Sequence, residues 1–345
     1  MKNKLRAIFF FACIAILLFS YKKATLPTDK WPKKVYVIND NSNLKALTLL
    51  GKILFYDPVL SLDSSTSCSS CHSPFNAFAH TDHALSHGID NKIGFRNAPT
   101  LVNLAYQPIF MWDGAINHLE MQSLAPITNP NEMNESIEHV VSKLNYQSFY
   151  RRLFNNAFND SIITGTKTLK AIAAFMASIE SNSSKYDLAM NGQAEFTEQE
   201  KNGLKLFSEH CSNCHTPPLF TNFSFQNNGL MPDSSLKDGG RIRQTKQIID
   251  SLKFKVPTLR NIEFTFPYMH DGRFITLTEV LNFYAGHSNK NSMIAPVLKS
   301  AVNLSSNDKV DLIAFLLTLS DRKFLFDKRY AYPKSEIDSL RKLTQ

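Results

Sequence analysis

The 345-residue sequence predicts an all-α fold divided into two domains. Apolar residues recur at helical spacing in 44–54, 137–144, 169–179 and 310–319, whereas convincing strand-like alternation is scarce. One short cysteine motif occurs twice, each time after a helical segment that ends in Leu-Phe, which indicates a divergent duplication. The length suits two domains of about 150 residues each. The ordinary composition, with 43% hydrophobic residues, excludes a wholly disordered or fibrous protein.

The net charge of the chain is +8, which raises the question of nucleic-acid binding. Five of the basic residues lie within residues 1–24, which contain no acid, so the remaining chain carries only +3. A nearly neutral body without a basic run is a poor nucleic-acid binder. We therefore predict that the protein has no nucleic-acid partner.

Residues 1–24 are predicted to be a signal peptide or a membrane anchor. The basic start Met1–Arg6 precedes the apolar run Ala7–Tyr21, which is shorter than a membrane span of about 20 residues and suits the core of a signal peptide. The sequence Phe19-Ser20-Tyr21 is a poor cleavage site, so an uncleaved anchor is the alternative. Both interpretations predict an exported, periplasmic protein in which the largely polar residues 25–43 form a tether.

The body is predicted to form two domains, 44–192 and 193–345. Asn191-Gly192-Gln193 marks the boundary, and Thr197 with Glu200 forms a capping box that begins the first helix of the second domain.

Long loops rich in Asn, Pro and Gly fill residues 60–135 and 216–275. Loops of this length are uncommon in a compact domain. We therefore expect something other than a protein core to organise them.

A C-x-x-C-H motif occurs at Cys68-Ser69-Ser70-Cys71-His72 and again at Cys211-Ser212-Asn213-Cys214-His215. This spacing attaches c-type haem, because two thiols add to the two vinyl groups of one porphyrin and the adjacent histidine ligates the iron. A redox-active dithiol and a zinc site built from both pairs are the alternatives, but a dithiol does not need a histidine after each pair. We predict two covalent haem c groups, with His72 and His215 as iron ligands, and these macrocycles explain the long loops.

The ligand on the other side of each iron decides the chemistry. An iron with a vacant or displaceable ligand can bind peroxide, whereas a fully ligated iron transfers electrons. His80, His83 and His87 follow the first motif within eight residues. A lone histidine is usually a surface residue, but three beside a haem indicate that one is a ligand, and all three are candidates.

Further motifs between about Leu44 and Leu319 resemble those of the bacterial dihaem cytochrome c peroxidases, in the order and close to the spacing found in that family. In chain order they are His87-Gly88, Gly94-Phe95-Arg96-Asn97-Ala98-Pro99-Thr100, Phe110-Met111-Trp112-Asp113-Gly114, Leu124-x-Pro126-Ile127-x-Asn129-Pro130-x-Glu132-Met133, Phe254-Lys255-Val256-Pro257-Thr258-Leu259-Arg260-Asn261 and Pro267-Tyr268-Met269-His270-Asp271-Gly272. The resemblance implies two cytochrome c-like haem domains with long loops.

The resemblance implies that the first haem binds peroxide, with His87 at the position of the family's displaceable distal histidine. Gln122 and Glu132 match the distal pair, and a carboxylate beside bound peroxide can take a proton from one oxygen and return it to the other. Trp112 matches the family's tryptophan near the haems, where an indole can relay electrons. Without the match, Glu132 is read as a solvated loop acid and Trp112 as a packed aromatic residue.

The resemblance also implies a calcium ion between the two domains. Asn97, Thr265 and Pro267 match its ligands, which in the family are mostly backbone oxygens and waters, and calcium prefers many oxygen ligands. No D-x-D loop indicates this ion independently, so calcium is expected from the resemblance alone.

The second haem departs from the better-known peroxidases, in which a methionine lies fourteen residues after the histidine that matches His270. Tyr284 has that spacing here, and a tyrosine at this point resembles the MauG branch, whose members oxidise protein residues. Met269 and Met293 are alternative ligands, because thioethers bind haem iron well. Packing of Tyr284 against the porphyrin edge is a further alternative.

The predicted function is therefore reduction of hydrogen peroxide to water, with electrons from a small soluble donor such as a cytochrome c or a cupredoxin. A MauG-like oxidase of a protein or organic substrate is the second hypothesis. A dihaem cytochrome that only transfers electrons is the third, although Gln122 and Glu132 would have no purpose in it. A homodimer is a further candidate assembly.

Overall fold

The computed structural model describes residues 31–38, 43–286, 293–300 and 302–342. The predicted signal or anchor segment 1–24 lies outside these residues, as does part of the predicted tether. Within the described ranges, no helix combines the length and the apolar character that a membrane span requires.

The predicted helical class is confirmed for the described part of the chain. Its α-helices are α1 (Leu44–Tyr56), α2 (Cys68–Cys71), α3 (Leu119–Gln122), α4 (Leu124–Thr128), α5 (Ile137–Tyr146), α6 (Ser148–Phe158), α7 (Gly165–Ser178), α8 (Lys185–Met190), α9 (Glu198–His210), α10 (Ile242–Thr245), α11 (Leu277–Ala285), α12 (Ser306–Leu317), α13 (Arg322–Leu325) and α14 (Lys334–Lys342). The strands are β1 (Phe225–Gln226) and β2 (Phe254–Lys255), which pair antiparallel with Phe225 opposite Lys255.

A close helix pair forms the centre of each half. In the first half α1 packs on α7, and a Cβ on Gly51 would lie 1.8 Å from the carbonyl oxygen of Ala171. In the second half α9 packs on α12, and a Cβ on Gly203 would lie 2.0 Å from the carbonyl oxygen of Asp311. Only glycine permits this close backbone contact. The helix pair of each half therefore has a glycine at the equivalent contact.

Helices α9 and α12 each begin with a capping box, and the sequence predicts the box of α9. Thr197 and Glu200 form the predicted capping box at the start of α9, and Ser305 with Asp308 forms another at the start of α12. Such boxes satisfy backbone N–H groups that have no partner within the helix.

The loops that connect the two helices of each pair are also equivalent. Thr100 Oγ1 donates a hydrogen bond of 2.6 Å to the carbonyl oxygen of Ala77, and Thr258 Oγ1 donates one of 2.6 Å to the carbonyl oxygen of Leu219. These matched bonds extend the duplication from the helices into the long loops.

Two matched turns complete the repeat. The backbone bridges Phe110–Ile116 and Tyr268–Phe274 close them. Trp112 lies in the first turn and His270 in the second. Trp112 and His270 thus occupy equivalent positions of the repeat. The two halves differ at this position in the chemistry of the side chain.

The last described residues return to the first half of the molecule. Phe324, Tyr330 and Ile337 belong to the first hydrophobic core, and the Tyr330 hydroxyl donates a hydrogen bond of 3.0 Å to the carbonyl oxygen of Ser178. Residues 321–342 therefore pack on the first core, although the sequence groups them with the second domain.

The described part of the predicted tether lies along the body. The rings of Trp31 and Tyr106 are 5.2 Å apart, and the guanidinium of Arg260 lies 4.5 Å from the Trp31 ring. Residues 31–38 are therefore in contact with both halves.

Candidate active site

The first C-x-x-C-H motif lines a cavity of about 320 Å³. Cys68 and Cys71 form the ends of the one-turn helix α2, which Ser67 and Ser70 cap. Residues three apart on a helix lie on the same face, so both thiols reach the cavity that His72 also lines. The local fold presents two thiols and one imidazole to a single ligand.

The His72 imidazole is arranged to bind a metal through one nitrogen. Its Nδ1 donates a hydrogen bond of 2.8 Å to the carbonyl oxygen of Phe78, which leaves Nε2 as the free acceptor. Burial lowers the pKa of His72 to about 4, so the ring is neutral at physiological pH. Neutral imidazole is the form that ligates metals.

The second motif repeats this arrangement in a cavity of about 250 Å³ lined by Cys211, Cys214 and His215. His215 Nδ1 donates hydrogen bonds to the carbonyl oxygens of Phe220 at 3.2 Å and Pro257 at 3.1 Å. Burial lowers the pKa of His215 to about 4. Each half therefore carries two thiols and a neutral, oriented imidazole.

The state of the thiols argues against the other interpretations of the motifs. Burial raises the pKa of Cys68 to about 12, of Cys71 to about 11 and of Cys211 to about 12. A redox dithiol instead needs a lowered pKa and a thiolate. The two cysteine pairs also line different cavities, so they do not form one zinc site.

The donors in both cavities fit haem c. Two thiols can add to the vinyl groups of a porphyrin, and the imidazole Nε2 can ligate its iron. The buried hydroxyl of Ser123, on the wall of the first cavity, has no hydrogen-bond partner among the described residues. Such an orphaned group is expected where a bound molecule completes the wall.

The predicted distal residues lie on the wall of the first cavity. His87, Gln122 and Glu132 line it together with His72. The Gln122 amide Nε2 lies 3.9 Å from the sulfur of Met111, which also lines the cavity. The structure thus brings the resemblance-based candidates of the first half into one site.

The neighbouring histidines form a stack behind His87. The rings of His83 and His87 lie 3.9 Å apart and nearly parallel, and a ring nitrogen of His80 is 3.3 Å from one of His83. His80 and His83 are not among the residues that line the first cavity. Among the three sequence candidates, the geometry favours His87 as the distal ligand.

The loop of His87 and the loop of Glu132 are fixed to each other. The backbone N–H of Ile89 donates a hydrogen bond of 2.8 Å to the carbonyl oxygen of Glu132, and a Cβ on Gly88 would lie 2.2 Å from the carbonyl oxygen of Asn131. Glycine at position 88 therefore permits the contact that holds both distal residues together.

Burial raises the pKa of the Glu132 carboxyl group, and hydrogen bonds from Asn129 and Ser86 oppose this change only in part. A carboxyl group with a raised pKa exchanges protons closer to neutral pH than an ordinary glutamate does. Glu132 is therefore suited to move protons beside a ligand in the first cavity.

Trp112 lines both cavities. Its indole Nε1 donates a hydrogen bond of 2.9 Å to the carbonyl oxygen of Asn97, and its own carbonyl oxygen accepts one of 2.7 Å from the backbone N–H of Lys255. The ring is thus held in the wall that the two cavities share.

The three calcium candidates line the second cavity together. Asn97 is buried, its side-chain amide donates a hydrogen bond of 3.0 Å to the carbonyl oxygen of Ala84, and its backbone N–H donates one of 2.7 Å to the carbonyl oxygen of His270. Thr265 and Pro267 precede His270 in the chain and line the same cavity. The set offers oxygen donors of the kind that calcium prefers.

Tyr284 and Met269 both line the second cavity, whereas Met293 is not among its described lining residues. The side-chain amide of Asn228 donates to the Tyr284 hydroxyl at 3.3 Å and to the Met269 sulfur at 3.5 Å. Burial raises the pKa of Tyr284 to about 12, and the hydrogen bond from Asn228 opposes that change. One amide therefore contacts both remaining candidates for the sixth ligand.

Sequence reasoning missed three residues of these walls. Asn228 lies in a loop without a recognisable motif, and Ser123 is an ordinary helix-end serine. Lys255 belongs to one of the motifs that resemble the family, but its residue type alone indicated no role. Only the fold shows that these polar groups face the cavities.

Comparison with known proteins agrees with this geometry. The family model described as di-haem cytochrome c peroxidase matches residues 45–195. The methylamine utilization protein MauG of Methylorubrum extorquens is 34% identical over 282 residues, which cover 78% of this chain and 77% of that protein. The cytochrome c551 peroxidase of Nitrosomonas europaea is 36% identical over 240 residues, which cover 67% of this chain and 70% of that protein.

A solved structure shows the same fold over nearly the whole chain. A MauG-like protein associated with microbial copper homeostasis superposes with a TM-score of 0.80 and 29% identity, covering 92% of this chain and 99% of that one. The similarity therefore extends through both halves and both cavities.

Proposed function

We propose that this chain, which belongs to the di-haem cytochrome c peroxidase family, reduces hydrogen peroxide to water with electrons from a small soluble redox protein, a cytochrome c or a cupredoxin. The observation that carries the proposal is the position of Glu132 and Gln122, which line the same cavity as Cys68, Cys71 and His72. A dihaem protein that only transfers electrons has no use for a proton-exchanging carboxyl group at that point. We expect two covalent haem c groups and an exported, periplasmic protein.

The haem of the first cavity would supply an iron that binds peroxide and accepts electrons. The Cys68 and Cys71 thiols would hold its macrocycle, and His72 would ligate the iron through Nε2. The Glu132 carboxylate would take the proton from one peroxide oxygen and return it to the other, which leaves as water. The Gln122 amide would donate a hydrogen bond that orients the peroxide.

Each turnover consumes one peroxide, two electrons and two protons and yields two water molecules. The Trp112 indole, in the wall shared by the two cavities, is suited to pass electrons from the second haem to the first. Its fixed orientation supports this role, because a relay needs a constant distance to both partners.

A second function is favoured by the second cavity. Tyr284 lines it at the position where tyrosine resembles MauG, and a MauG protein is among the relatives. The second proposal is therefore oxidation of a protein or organic substrate by the same two haems. A phenolate ligand lowers the reduction potential of a haem, which would disfavour electron entry from a high-potential donor.

Steady-state turnover of peroxide with a reduced small cytochrome separates the two functions. A peroxidase is expected to oxidise the cytochrome in proportion to the peroxide added, at a rate that saturates with both substrates. If peroxide bleaches the protein without oxidising cytochrome or cupredoxin donors, the oxidase proposal replaces the first. Denaturing mass spectrometry should first show the chain carrying two haem masses.

We also propose a calcium ion bound by Asn97, Thr265 and Pro267 between the two halves. Treatment with a calcium chelator should then slow electron transfer between the haems, and calcium should restore it while magnesium does not. Magnesium is the matched control because it demands a smaller, octahedral site. An unchanged rate after complete chelation would remove calcium from the proposal.

A further inference from the structure

A lysine without an assigned role lies at the junction of the two cavities. Lys255, in β2, lines both of them. Its ammonium group donates a hydrogen bond of 3.0 Å to Oε1 of Gln107, which lines the first cavity. Among the described residues no carboxylate forms an ion pair with Lys255.

The other long cationic side chains on the first cavity wall are either paired or exposed. Arg96 Nη1 lies 3.0 Å from a carboxylate oxygen of Asp113, and Arg96 Nε lies 2.7 Å from one of Asp238. Arg243 is exposed to solvent, and its guanidinium lies 4.7 Å from the centre of the Phe95 ring. Among the described residues of this wall, Lys255 is thus the lysine or arginine that is neither paired with a carboxylate nor exposed.

An ammonium group enclosed in this way is costly without a counter-charge. Burial lowers the pKa of Lys255 to about 8, and its side-chain hydrogen-bond partner among the described residues is a neutral amide. A carboxylate beside the ammonium would offset the desolvation and favour the charged form. Haem carries two propionate carboxylates, which are the anionic part of an otherwise apolar macrocycle.

We propose that Lys255 binds a propionate of the haem in the first cavity, and that Gln107 orients the ammonium group toward it. The bond from the Lys255 backbone N–H to the Trp112 carbonyl oxygen, 2.7 Å long, then fixes this anchor to the electron-relay candidate. The inference rests on haem in the first cavity and not on which substrate the protein oxidises or reduces. A cation at this position favours the reduced haem, so Lys255 raises the potential of the first haem.

The test compares Lys255→Met, which removes the charge, with Lys255→Arg, which keeps it. Lys253→Met is the matched control, because Lys253 lies two residues away and pairs with Asp250 at 3.2 Å. Haem content is measured by the pyridine haemochrome assay, the potential of each haem by spectroelectrochemical titration, and the propionates by resonance Raman, whose propionate bending mode responds to hydrogen bonds.

We expect Lys255→Met to lower the potential of the first haem more than that of the second and to shift the propionate mode. Lys255→Arg should keep the potential of the first haem and the propionate mode close to their wild-type values. Lys253→Met should change neither quantity. If Lys255→Met fails to retain two haems, retention in Lys255→Arg supports the proposal and loss in both variants overturns it. Unchanged potentials and Raman spectra, or a change confined to the second haem, also overturn it. A wild-type protein without haem would instead refute the cofactor assignment under the proposed function.

Discussion

The indole nitrogen of Trp112 donates a hydrogen bond of 2.9 Å to the carbonyl oxygen of Asn97, and both residues line both cavities. The bond joins the electron-relay candidate to a calcium candidate, so a disturbance at either residue reaches the other. The carbonyl oxygen of Asn97 is already an acceptor for this indole. A cation bound there would share that oxygen with Trp112 and influence the orientation of the ring.

The first prediction concerns the Trp112 relay. Trp112→Phe keeps an aromatic ring but removes the hydrogen bond to Asn97 and makes the side chain harder to oxidise. Electron transfer between the haems is therefore expected to slow, measured by stopped-flow mixing of the reduced protein with peroxide. Trp31→Phe is the control, because Trp31 packs on Tyr106 and is not among the described residues that line either cavity. Equal rates in Trp112→Phe and wild type would assign Trp112 to packing.

The second prediction concerns proton transfer by Glu132. Glu132→Gln keeps the size of the side chain but cannot exchange the proton, so peroxide turnover should fall by about 10²-fold or more. Glu138→Gln, which alters an exposed acid of α5, should leave turnover unchanged. Normal turnover in Glu132→Gln with intact haem spectra would make Glu132 a structural residue.

The same residue predicts a pH dependence. The ionised form of Glu132 accepts the proton, and burial raises its pKa above the ordinary value of 4.5. Turnover should therefore be constant near neutral pH and decrease as the pH is lowered, with a midpoint above pH 4.5. This decrease at acid pH should be absent from the residual activity of Glu132→Gln. A decrease that persists in the variant would belong to another group.

Features of the fold and the site that depend on residues close together in the chain could be predicted from the sequence. The capping box at Thr197 and Glu200 is visible in the sequence because it depends on residues three apart, and it begins α9 as expected. The C-x-x-C-H motifs are equally local. Spacing of this kind fixes geometry before any tertiary contact forms.

The remaining features depend on contacts between distant residues. The sequence cannot show that Tyr330 packs on the first core, because the partners lie far away in the chain. Likewise His80, His83 and His87 are alike in residue type, and only the fold shows that His87, next to the close contact at Gly88, lies on the cavity wall. Asn228 was missed for the same reason.

The third prediction concerns stability at a buried ion pair. Arg260 is fully buried and its Nη2 lies 2.7 Å from a carboxylate oxygen of Asp187. Asp187→Asn leaves the guanidinium without its counter-charge, so the free energy of unfolding should fall by about 3–5 kcal/mol. Glu198→Gln, in an exposed pair with Lys201, should leave the free energy of unfolding nearly unchanged. Denaturant unfolding of the haem-loaded proteins measures both.

This ion pair also has a defined pH window. Burial raises the pKa of Asp187, but the hydrogen bonds and charge of Arg260 outweigh it and leave the pKa below its usual value of 3.8. A lowered pKa stabilises the fold above the unfolded value and loses that effect as the pH falls through the folded one. The difference between wild type and Asp187→Asn should stay constant near neutral pH and shrink below about pH 4. A difference that grows on acidification would contradict the assignment.

The last prediction concerns the sixth ligand of the second haem. The Asn228 amide contacts both the Tyr284 hydroxyl and the Met269 sulfur, so variants at all three positions discriminate between these ligands. If Tyr284 ligates the iron, the ferric protein lacks the near-infrared sulfur-to-iron band, and Tyr284→Phe changes the spectrum and raises the potential, because a phenolate stabilises ferric iron. Met269→Leu should then leave the second haem nearly unchanged. Asn228→Leu should lower its potential, because a phenolate that loses a hydrogen bond becomes a stronger donor. A sulfur-to-iron band that disappears in Met269→Leu and persists in Tyr284→Phe would instead assign methionine as the ligand, with Tyr284 packed against the porphyrin edge.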